Sequence, residues 1–472
     1  MTTLVGSSAG IVVPVPLAEV FAIAAEFERG GRVEEADRLI RHALAAAPEQ
    51  ADVLHLAGIV AFRQKRAAEA LELMERAVAR GGEVALYSRN ICEIYRTMGR
   101  LDDALTAGLR AAGLAPGDAM ALHNLAIIHY ERLEVEESLD CARRALAIDA
   151  TMPGAHFELA EALLLKGEMA EGWEEYEWRY RIAGAPQLMP PTDKPQWDGV
   201  AVPDDTLLLI ADQGFGDVIQ FARYIPWVRE RAPHIAIAGS AEVAPLLRQI
   251  APGVQIFQNW NECPAWSVFC PLSGLPRLHG TTVETIPAPV PYLRADPGRV
   301  GQWRTRLDRL VPAGYRRIAI AWAGRPTHNN DRNRSTPLVS FMPLASLPNT
   351  ALVSIQKGDA AAQTGGFFGR APLINLGAEI QDYEDTMAIL DCVDLLVSVD
   401  TSVVHLAGAL GRPAWVLLPR APDWRWLMDR TDTPWYPTLR LFRQDAKRKY
   451  RPIIEQAAAA ARDHLGLRPA AI

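Results

Sequence analysis

The sequence predicts an α-helical repeat array followed by an α/β region built from two successive parallel sheets. Three observations predict this fold class. Small residues recur every 34 positions in the first third of the chain, and a proline-rich stretch follows over 183–204. From about residue 205, short apolar runs alternate with amphipathic helical stretches, which is typical of βαβ units.

The composition is ordinary for a globular protein of several domains. The chain has 472 residues, of which 49% are hydrophobic and 22% charged, and its net charge of −7 argues against a nucleic-acid-binding surface. Its five cysteines form no CxxC pair, which favours reduced thiols over a zinc site or a disulfide framework. The sequence shows no membrane-length apolar run and no basic residue before the apolar part of 1–16. We therefore expect a cytoplasmic protein with a flexible leader over 1–16.

The first third of the chain repeats with the 34-residue period of tetratricopeptide units. Two series of small residues mark the positions where paired helices touch: Ala36, Ala70, Ala104 and Ser138, and Ala43, Ala77, Ala111 and Ala145. The period predicts units at 17–50, 51–84, 85–118 and 119–152, with a fifth from Pro153, so that the repeats fill 17–182. The aromatic segment 172–179 is expected to cap the stack, because a solenoid must cover its last apolar face.

Repeats of this type form either a groove that binds a protein segment or a plain helical spacer. Asn90 and Asn124 lie 34 residues apart, on the first helices of successive units. Their amides can donate and accept hydrogen bonds together, so we expect them to bind the backbone of an extended protein acceptor. The alternative for both residues is a solvated surface position.

Beyond the linker over 183–204, the pattern predicts two doubly wound lobes, at 205–312 and 313–472. The predicted strands of the first lobe are Leu207–Ala211, Ile235–Ala238, Val254–Phe257 and Ser267–Cys270. Those of the second lobe are Arg317–Trp322, Ala351–Ile355, Leu373–Leu376, Leu395–Val399, Trp415–Leu418 and Arg440–Phe442. Ligands of such sheets bind at the carboxyl ends of the strands, so the loops that follow the strands are the candidate site.

The first of these loops, Asp212–Asp217, follows a strand and opens a helix. It resembles a dinucleotide-binding turn, but Arg223 stands where a third glycine is expected. Asp217 at the helix start would repel a phosphate, so we expect this turn to present a carboxylate that accepts the proton of an attacking hydroxyl. The alternative is an ordinary N-capping aspartate, which the helix dipole favours in its charged form.

Three loops of the second lobe suit an anionic ligand. One carries Asp400, Thr401, Ser402 and His405 at a helix start, where backbone N–H groups suit a diphosphate. Another contains Trp322, Gly324, Arg325, Asn330 and Arg334, and the third pairs Gln356 with Lys357, a compact charge for a phosphate. The alternatives are a buried structural histidine at 405 and a solvated loop for the second group. All three loops are expected on one edge of one sheet.

In combination, these stretches resemble bacterial GT-B glycosyltransferases of the heptosyltransferase-like class, particularly those joined to tetratricopeptide repeats. The resemblance covers nearly all of 205–445 and is carried by Gln213–Tyr224, Trp322–Gly324 with Asn330–Arg332, Ser354–Gly358, Val399–Gly408 and Asp423–Leu427. The overall plan is also similar to that of eukaryotic O-linked N-acetylglucosamine transferase and of the bacterial flagellin glycosyltransferases.

The resemblance implies two Rossmann-like lobes around a cleft and an inverting, metal-independent transfer from a nucleotide-sugar, with no cofactor. The acceptor would be Ser or Thr hydroxyls of a protein such as flagellin. The resemblance also makes Asp217 the general base and assigns Lys357 and the Asp400–His405 turn to binding of the nucleotide-sugar donor. Two rivals stay open: a repeat adaptor with an inactive GT-B domain, and a transferase that acts on a lipid or polysaccharide.

Overall fold

The computed structural model describes residues 2–6, 12–185, 192–287, 289–328 and 330–467. The chain divides into two compact units, Met1–Ala162 and Leu163–Ile472. Three prolines of the predicted linker, at 186, 190 and 191, lie outside the described residues. Within the described ranges, every helix is too short or too polar to cross a bilayer.

The first unit begins with two short strands and continues as helical hairpins. The strands β1 (Thr2–Gly6) and β2 (Val12–Pro16) pair antiparallel, where the sequence predicted a flexible leader. Both stretches are rich in the β-branched residues Val and Thr, which favour strands. The helices are α1 (Leu17–Arg29), α2 (Val33–Ala46), α3 (Ala51–Arg63), α4 (Ala67–Gly81), α5 (Ala85–Thr97), α6 (Leu101–Leu114), α7 (Ala119–Arg132), α8 (Val135–Ile148) and α9 (Pro153–Lys166).

The spacing of these helices confirms the 34-residue helical repeat. Helices α3, α5, α7 and α9 begin at residues 51, 85, 119 and 153, and α2, α4, α6 and α8 begin at 33, 67, 101 and 135. The small residues lie where paired helices touch, and Ala70 and Ser138 are fully buried. A Cβ added at Gly58 would lie 2.8 Å from Met74 Cγ, so the glycine allows α3 and α4 to approach closely. Each buried side chain the size of leucine contributes about 1.5–3 kcal/mol to holding the hairpins together.

The second unit begins within α9, at Leu163, and continues with α10 (Met169–Tyr176), a 3₁₀ turn over Glu177–Arg181 and a four-stranded parallel sheet. Its strands are β3 (Thr206–Ile210), β4 (His234–Ala238), β5 (Gln255–Phe257) and β6 (Val268–Pro271), in the order β5-β4-β3-β6. The helices that follow are α11 (Phe215–Phe221), α12 (Ile225–Arg229), α13 (Ala244–Ile250), α14 (Leu275–His279) and α15 (Pro297–Leu310).

A six-stranded parallel sheet completes the second unit. Its strands are β7 (Arg316–Ala321), β8 (Thr350–Ser354), β9 (Leu373–Asn375), β10 (Leu395–Val399), β11 (Ala414–Leu418) and β12 (Leu439–Arg443), in the order β12-β11-β10-β7-β8-β9. Its helices are α16 (Asp331–Arg334), α17 (Met342–Ala345), α18 (Tyr383–Leu390), α19 (Ser402–Ala409) and α20 (Tyr450–His464). All ten predicted α/β strands are confirmed with bounds within one residue, because buried parallel strands read as short continuous apolar runs.

Candidate active site

Both sheets of the second unit reverse their strand order next to their first strand. In the six-stranded sheet the chain runs from β7 through β8 to β9, then returns to β10 on the other side of β7. In the four-stranded sheet β6 returns to the free side of β3 in the same way. Ligands bind outside the carboxyl ends of the strands at such switch points. The loops after β3, β7 and β10 are therefore placed as a binding site requires.

The turn after β3, Asp212–Asp217, contacts the loops after the strands of the larger sheet. The ring of Phe215 lies 5.7 Å from that of Tyr383, which follows β9. Gly216 lies against the start of α19, and a Cβ added there would be 2.9 Å from His405 Cδ2. A glycine is thus required at 216 for α11 and α19 to approach. The carboxyl edges of the two sheets meet at this point.

An ion pair joins the two edges. The guanidinium of Arg425, which follows β11, donates to Asp217 Oδ1 and also binds both carboxylate oxygens of Asp423, at 2.8 and 2.9 Å. It lies over the ring of Trp424, 4.1 Å from the ring centroid. Although burial opposes its charge, the two carboxylates raise the pKa of Arg425 well above its ordinary value. Two carboxylates therefore share one cation at the meeting point of the sheets.

Asp217 combines partial burial with access to solvent, as a proton acceptor needs. Its side chain is 23% exposed, against 7% for Arg425. Burial raises its pKa above the ordinary value, and the Arg425 charge opposes that rise. The residue is not the N-cap of α11, which is Gly214; its carboxylate instead accepts from the backbone N–H of Gly214. The N-cap alternative is therefore wrong, and the proton-acceptor role stays a prediction.

Asp400 lies at the end of β10 beside the same charges. Its Oδ2 accepts a hydrogen bond of 2.8 Å from the indole Nε1 of Trp426. Burial and repulsion from Asp423 raise its pKa to about 6. The Asp400 carboxyl therefore gains or loses its proton at a pH closer to neutral than an ordinary aspartate does.

This shift predicts how stability depends on pH. Because the folded state binds the Asp400 proton more tightly than the unfolded state, the resulting stabilisation is complete below pH 4 and is lost as the pH rises through about 6. We expect the free energy of unfolding of the wild type, relative to Asp400→Asn, to fall by about 2 kcal/mol across that window. Urea unfolding of both proteins from pH 4 to 7 measures the difference. Asparagine keeps an acceptor for Trp426, so parallel pH profiles for the two proteins would contradict the assignment.

The other predicted residues of this turn lie at the start of α19. Thr401 is the extended residue before the helix, and the hydroxyl of Ser402 accepts a 2.8 Å hydrogen bond from Tyr383. His405 Nδ1 lies 3.1 Å from the Tyr436 hydroxyl. Burial and the nearby Arg425 charge lower the His405 pKa to about 3, so its ring is neutral near pH 7. With Tyr436 as donor to Nδ1, the single N–H of the neutral ring lies on Nε2.

Gln356 holds the loop after β7 in place. Its Oε1 accepts from the backbone N–H groups of Trp322 and Ala323, at 2.9 and 3.0 Å. Its Nε2 donates to the carbonyls of Ala323 and Lys357, at 3.0 and 2.9 Å. The oxygen and both N–H groups of Gln356 are thus engaged within the protein and hold this loop, and its contact with a nucleotide-sugar stays a prediction.

The remaining loop residues surround the end of β7. Arg334 packs on Gly324, where an added Cβ would lie 2.6 Å from Arg334 Nη2, and it pairs with Asp331 at 3.5 Å. Asn330 is the N-cap residue of α16, and its side chain accepts from the Asn333 amide at 2.6 Å. Arg325 is exposed, 5.5 Å from the centroid of the Phe215 ring. Arg325 is thus the cation of this loop that lies beside the turn of Asp217.

Lys357 and Asn90 have hydrogen-bond partners within the protein. Lys357 follows β8 on the same sheet edge, and its ammonium donates to the carbonyl of Ile380 at 2.5 Å. In the first unit, Asn90 Nδ2 donates to His55 Nε2 at 2.8 Å across α5 and α3. Burial lowers the His55 pKa to about 4, which leaves that nitrogen free to accept. Asn124 is half-buried on α7. The roles of these residues with a donor or acceptor stay predictions.

Arg425 and Asp423 are the site residues that the sequence did not single out. They belong to a stretch that carried the resemblance, but their pairing with Asp217 joins positions 208 residues apart. An arginine between two tryptophans in a strand-following loop was the signal available. In the described part of the chain, no group of three or more His, Cys, Asp or Glu side chains is arranged to hold a metal ion.

Comparison with known proteins gives one curated relative and several solved structures. No family model matches the sequence. Protein FlbA of Caulobacter vibrioides is 25% identical over 465 residues, covering 91% of this chain and 76% of FlbA. The MamA crystal structure, at 18% identity and a TM-score of 0.30, covers 33% of this chain and 91% of its own. YrrB, described as a TPR protein with an unusual peptide-binding site, covers 35% of this chain and 84% of its own, with 18% identity and a TM-score of 0.29.

Proposed function

We propose that the chain is an inverting, metal-independent glycosyltransferase of the GT-B type that moves a sugar from a nucleotide-sugar to Ser or Thr hydroxyls of a protein acceptor. One observation carries the proposal: a half-buried carboxylate, Asp217, pairs with Arg425 where the carboxyl edges of two parallel sheets meet. The loops after β7 and β8 carry cations. Together with the start of α19, they lie at the carboxyl edge of the larger sheet, on its side of that meeting point. The sequence resemblance to repeat-linked GT-B enzymes supports the same function.

The geometry suggests how the residues divide the work. The acceptor hydroxyl attacks the anomeric carbon while its proton passes to Asp217, and the bond between that carbon and the phosphate oxygen breaks, releasing the nucleoside diphosphate. Arg425 favours the ionised, proton-accepting form of Asp217 against the effect of burial. The start of α19, Lys357 and the exposed Arg325 stabilise the charge that grows on the leaving phosphate.

The repeats supply the acceptor in this proposal. An extended segment along α5 and α7 would place its backbone beside Asn90 and Asn124, and holding it there makes the attack effectively intramolecular. Flagellin is the first acceptor to test, because the resemblance includes flagellin glycosyltransferases. The repeat adaptor and the lipid or polysaccharide transferase are the rival functions.

Co-expression with flagellin, followed by intact-mass spectrometry, tests the proposal. We expect a mass increment of one or more sugars on Ser or Thr, absent with Asp217→Asn. Incubation with a panel of nucleotide-sugars then identifies the donor by its hydrolysis. If the labelled sugar of the donor is found in the lipid fraction and not in the protein fraction, the result would favour the lipid transferase. If the chain binds no donor at all, the result would favour the adaptor.

A further inference from the structure

Helix α10 and the turn after it are built into the second unit beside the Asp217–Arg425 pair. The rings of Trp173 and Tyr176 both pack edge-on against Trp424, with centroids 5.1 and 6.0 Å away. Trp173 Nε1 also donates to the carbonyl of Thr281 at 3.0 Å. The sequence predicted this aromatic segment as a cap of the repeat stack, which stays a prediction; in the structure the segment also supports the loop that carries Arg425.

The same segment holds the beginning of the turn that carries Asp217. The hydroxyl of Tyr180 donates to Asp212 Oδ2 at 2.7 Å, and the backbone N–H of Ser273 donates to Asp212 Oδ1 at 3.1 Å. The next residue, Gln213, is held by Tyr176, whose hydroxyl lies 3.3 Å from Gln213 Oε1 and 3.1 Å from Nε2. The Asp212 side chain is only 1% exposed, so this anchor is shielded from solvent.

Tyr176 therefore touches both sides of the ion pair. Its hydroxyl contacts the turn that ends in Asp217, and its ring contacts Trp424, on whose face the Arg425 guanidinium lies. Burial raises the pKa of the Tyr176 hydroxyl, which keeps it protonated and able to donate and accept at once. An aromatic contact and a hydrogen bond from one rigid side chain fix the two partners relative to each other.

We propose that Tyr176 is a positioning residue for the reaction: it sets the distance between Asp217 and Arg425, so that α10 is part of the candidate site. This inference rests on the proposed function. It makes the segment just after the repeats a determinant of how strongly Asp217 accepts a proton.

The test compares Tyr176→Phe with Tyr224→Phe in the full chain. Phenylalanine at 176 keeps the ring contacts and removes the hydroxyl that bonds to Gln213. Tyr224 is a matched control, because it is also buried in the same unit but its hydroxyl bonds to Thr281, at 2.9 Å. For Tyr176→Phe we expect kcat for sugar transfer to fall about tenfold, with the KM for donor within about twofold. Gln213→Ala should reproduce the effect without touching the aromatic contacts.

The pH profile separates positioning from a merely structural role. The Arg425 charge lowers the Asp217 pKa, and a looser turn weakens that effect. The Asp217 pKa should therefore rise in Tyr176→Phe, and the acidic limb of the kcat profile should move to higher pH. The limb should not move in Tyr224→Phe. The proposal would be overturned if Tyr176→Phe kept the kcat and the acidic limb of the wild type. It would also be overturned if both variants lost kcat equally and neither showed a shift of the acidic limb.

If the wild type transfers no sugar, the proposed function fails and a second measurement judges Tyr176 alone. The change in urea unfolding midpoint on Tyr176→Phe is measured in the wild-type and Asp217→Asn backgrounds. Coupled residues give different changes in the two backgrounds. Equal changes would overturn the positioning role without reference to activity.

Discussion

Replacement of Asp217 by asparagine is expected to lower the rate of sugar transfer by at least about 100-fold while the affinity for the nucleotide-sugar changes little. A positioned general base contributes about 10²–10⁴-fold to the rate, and asparagine cannot take up the proton. The substitution preserves the shape of the side chain, and Arg425 Nη1 still donates to both carboxylate oxygens of Asp423. The folded protein should therefore be retained, and the loss should lie in kcat.

The measurement pairs single-turnover transfer rates with calorimetric titration of the donor. Asp423→Asn is the matched control, since it removes the other carboxylate from Arg425 and keeps Asp217 in place. We expect that variant to bind donor and to retain more of the transfer rate than Asp217→Asn. Wild-type turnover by Asp217→Asn would reject the base assignment, and equal losses in both variants would assign the effect to Arg425 instead.

The fold of this chain could be read from its sequence because its core is made of regular, one-dimensional patterns. The strand Leu395–Val399 was predicted to the residue, since five consecutive positions are buried in a parallel sheet and carry mostly branched apolar side chains. The helical hairpins followed from a fixed period. Both signals depend only on local order along the chain, so tertiary structure could not disturb them.

The site was predictable in position but less so in its contacts. The expectation that Asp217 and the loops after β7, β8 and β10 lie at strand ends followed from topology alone. The partners did not: Arg425 binds Asp217 from a loop 208 residues later in the chain. Gln356 has the polarity of a ligand contact. Its side chain instead hydrogen-bonds to four backbone groups, which come within reach only in the folded loop. Which side chain a polar group binds is decided by tertiary packing, which periodicity does not encode.

The boundary between the repeats and the second unit also depends on tertiary contacts that the sequence period does not show. Small residues continue in register into the fifth unit, so the period predicted repeats up to 182. Helix α10 keeps that period, since it begins 34 residues after α8, but it belongs to the compact second unit, which begins at Leu163. The aromatic side chains Trp173 and Tyr176 decide this, because their partner Trp424 lies some 250 residues later along the chain.

A chain that begins at residue 182 is expected to fail to fold, whereas one that begins at residue 153 should fold and keep the second unit intact. The shorter chain loses Trp173, Tyr176 and Tyr180, and so uncovers Trp424, which is 1% exposed in the full chain. It also removes the hydroxyl that binds the buried carboxylate of Asp212. Loss of one large aromatic side chain from a core costs about 3–5 kcal/mol. Several such losses together reach the total stability of a typical domain, about 5–15 kcal/mol.

Soluble yield, near-ultraviolet circular dichroism and thermal unfolding compare the two truncated chains. We expect a cooperative transition only for the chain that starts at residue 153, which retains all of α9 and α10. The full chain with Trp173→Ala and Tyr176→Ala is the control, because it removes the same aromatic contacts without creating a new terminus. If the chain from residue 182 melts cooperatively within a few degrees of the longer one, α10 is dispensable to the second unit. In the proposed function, the chain from residue 153 should still hydrolyse donor slowly but no longer modify a protein, because the helices carrying Asn90 and Asn124 are gone.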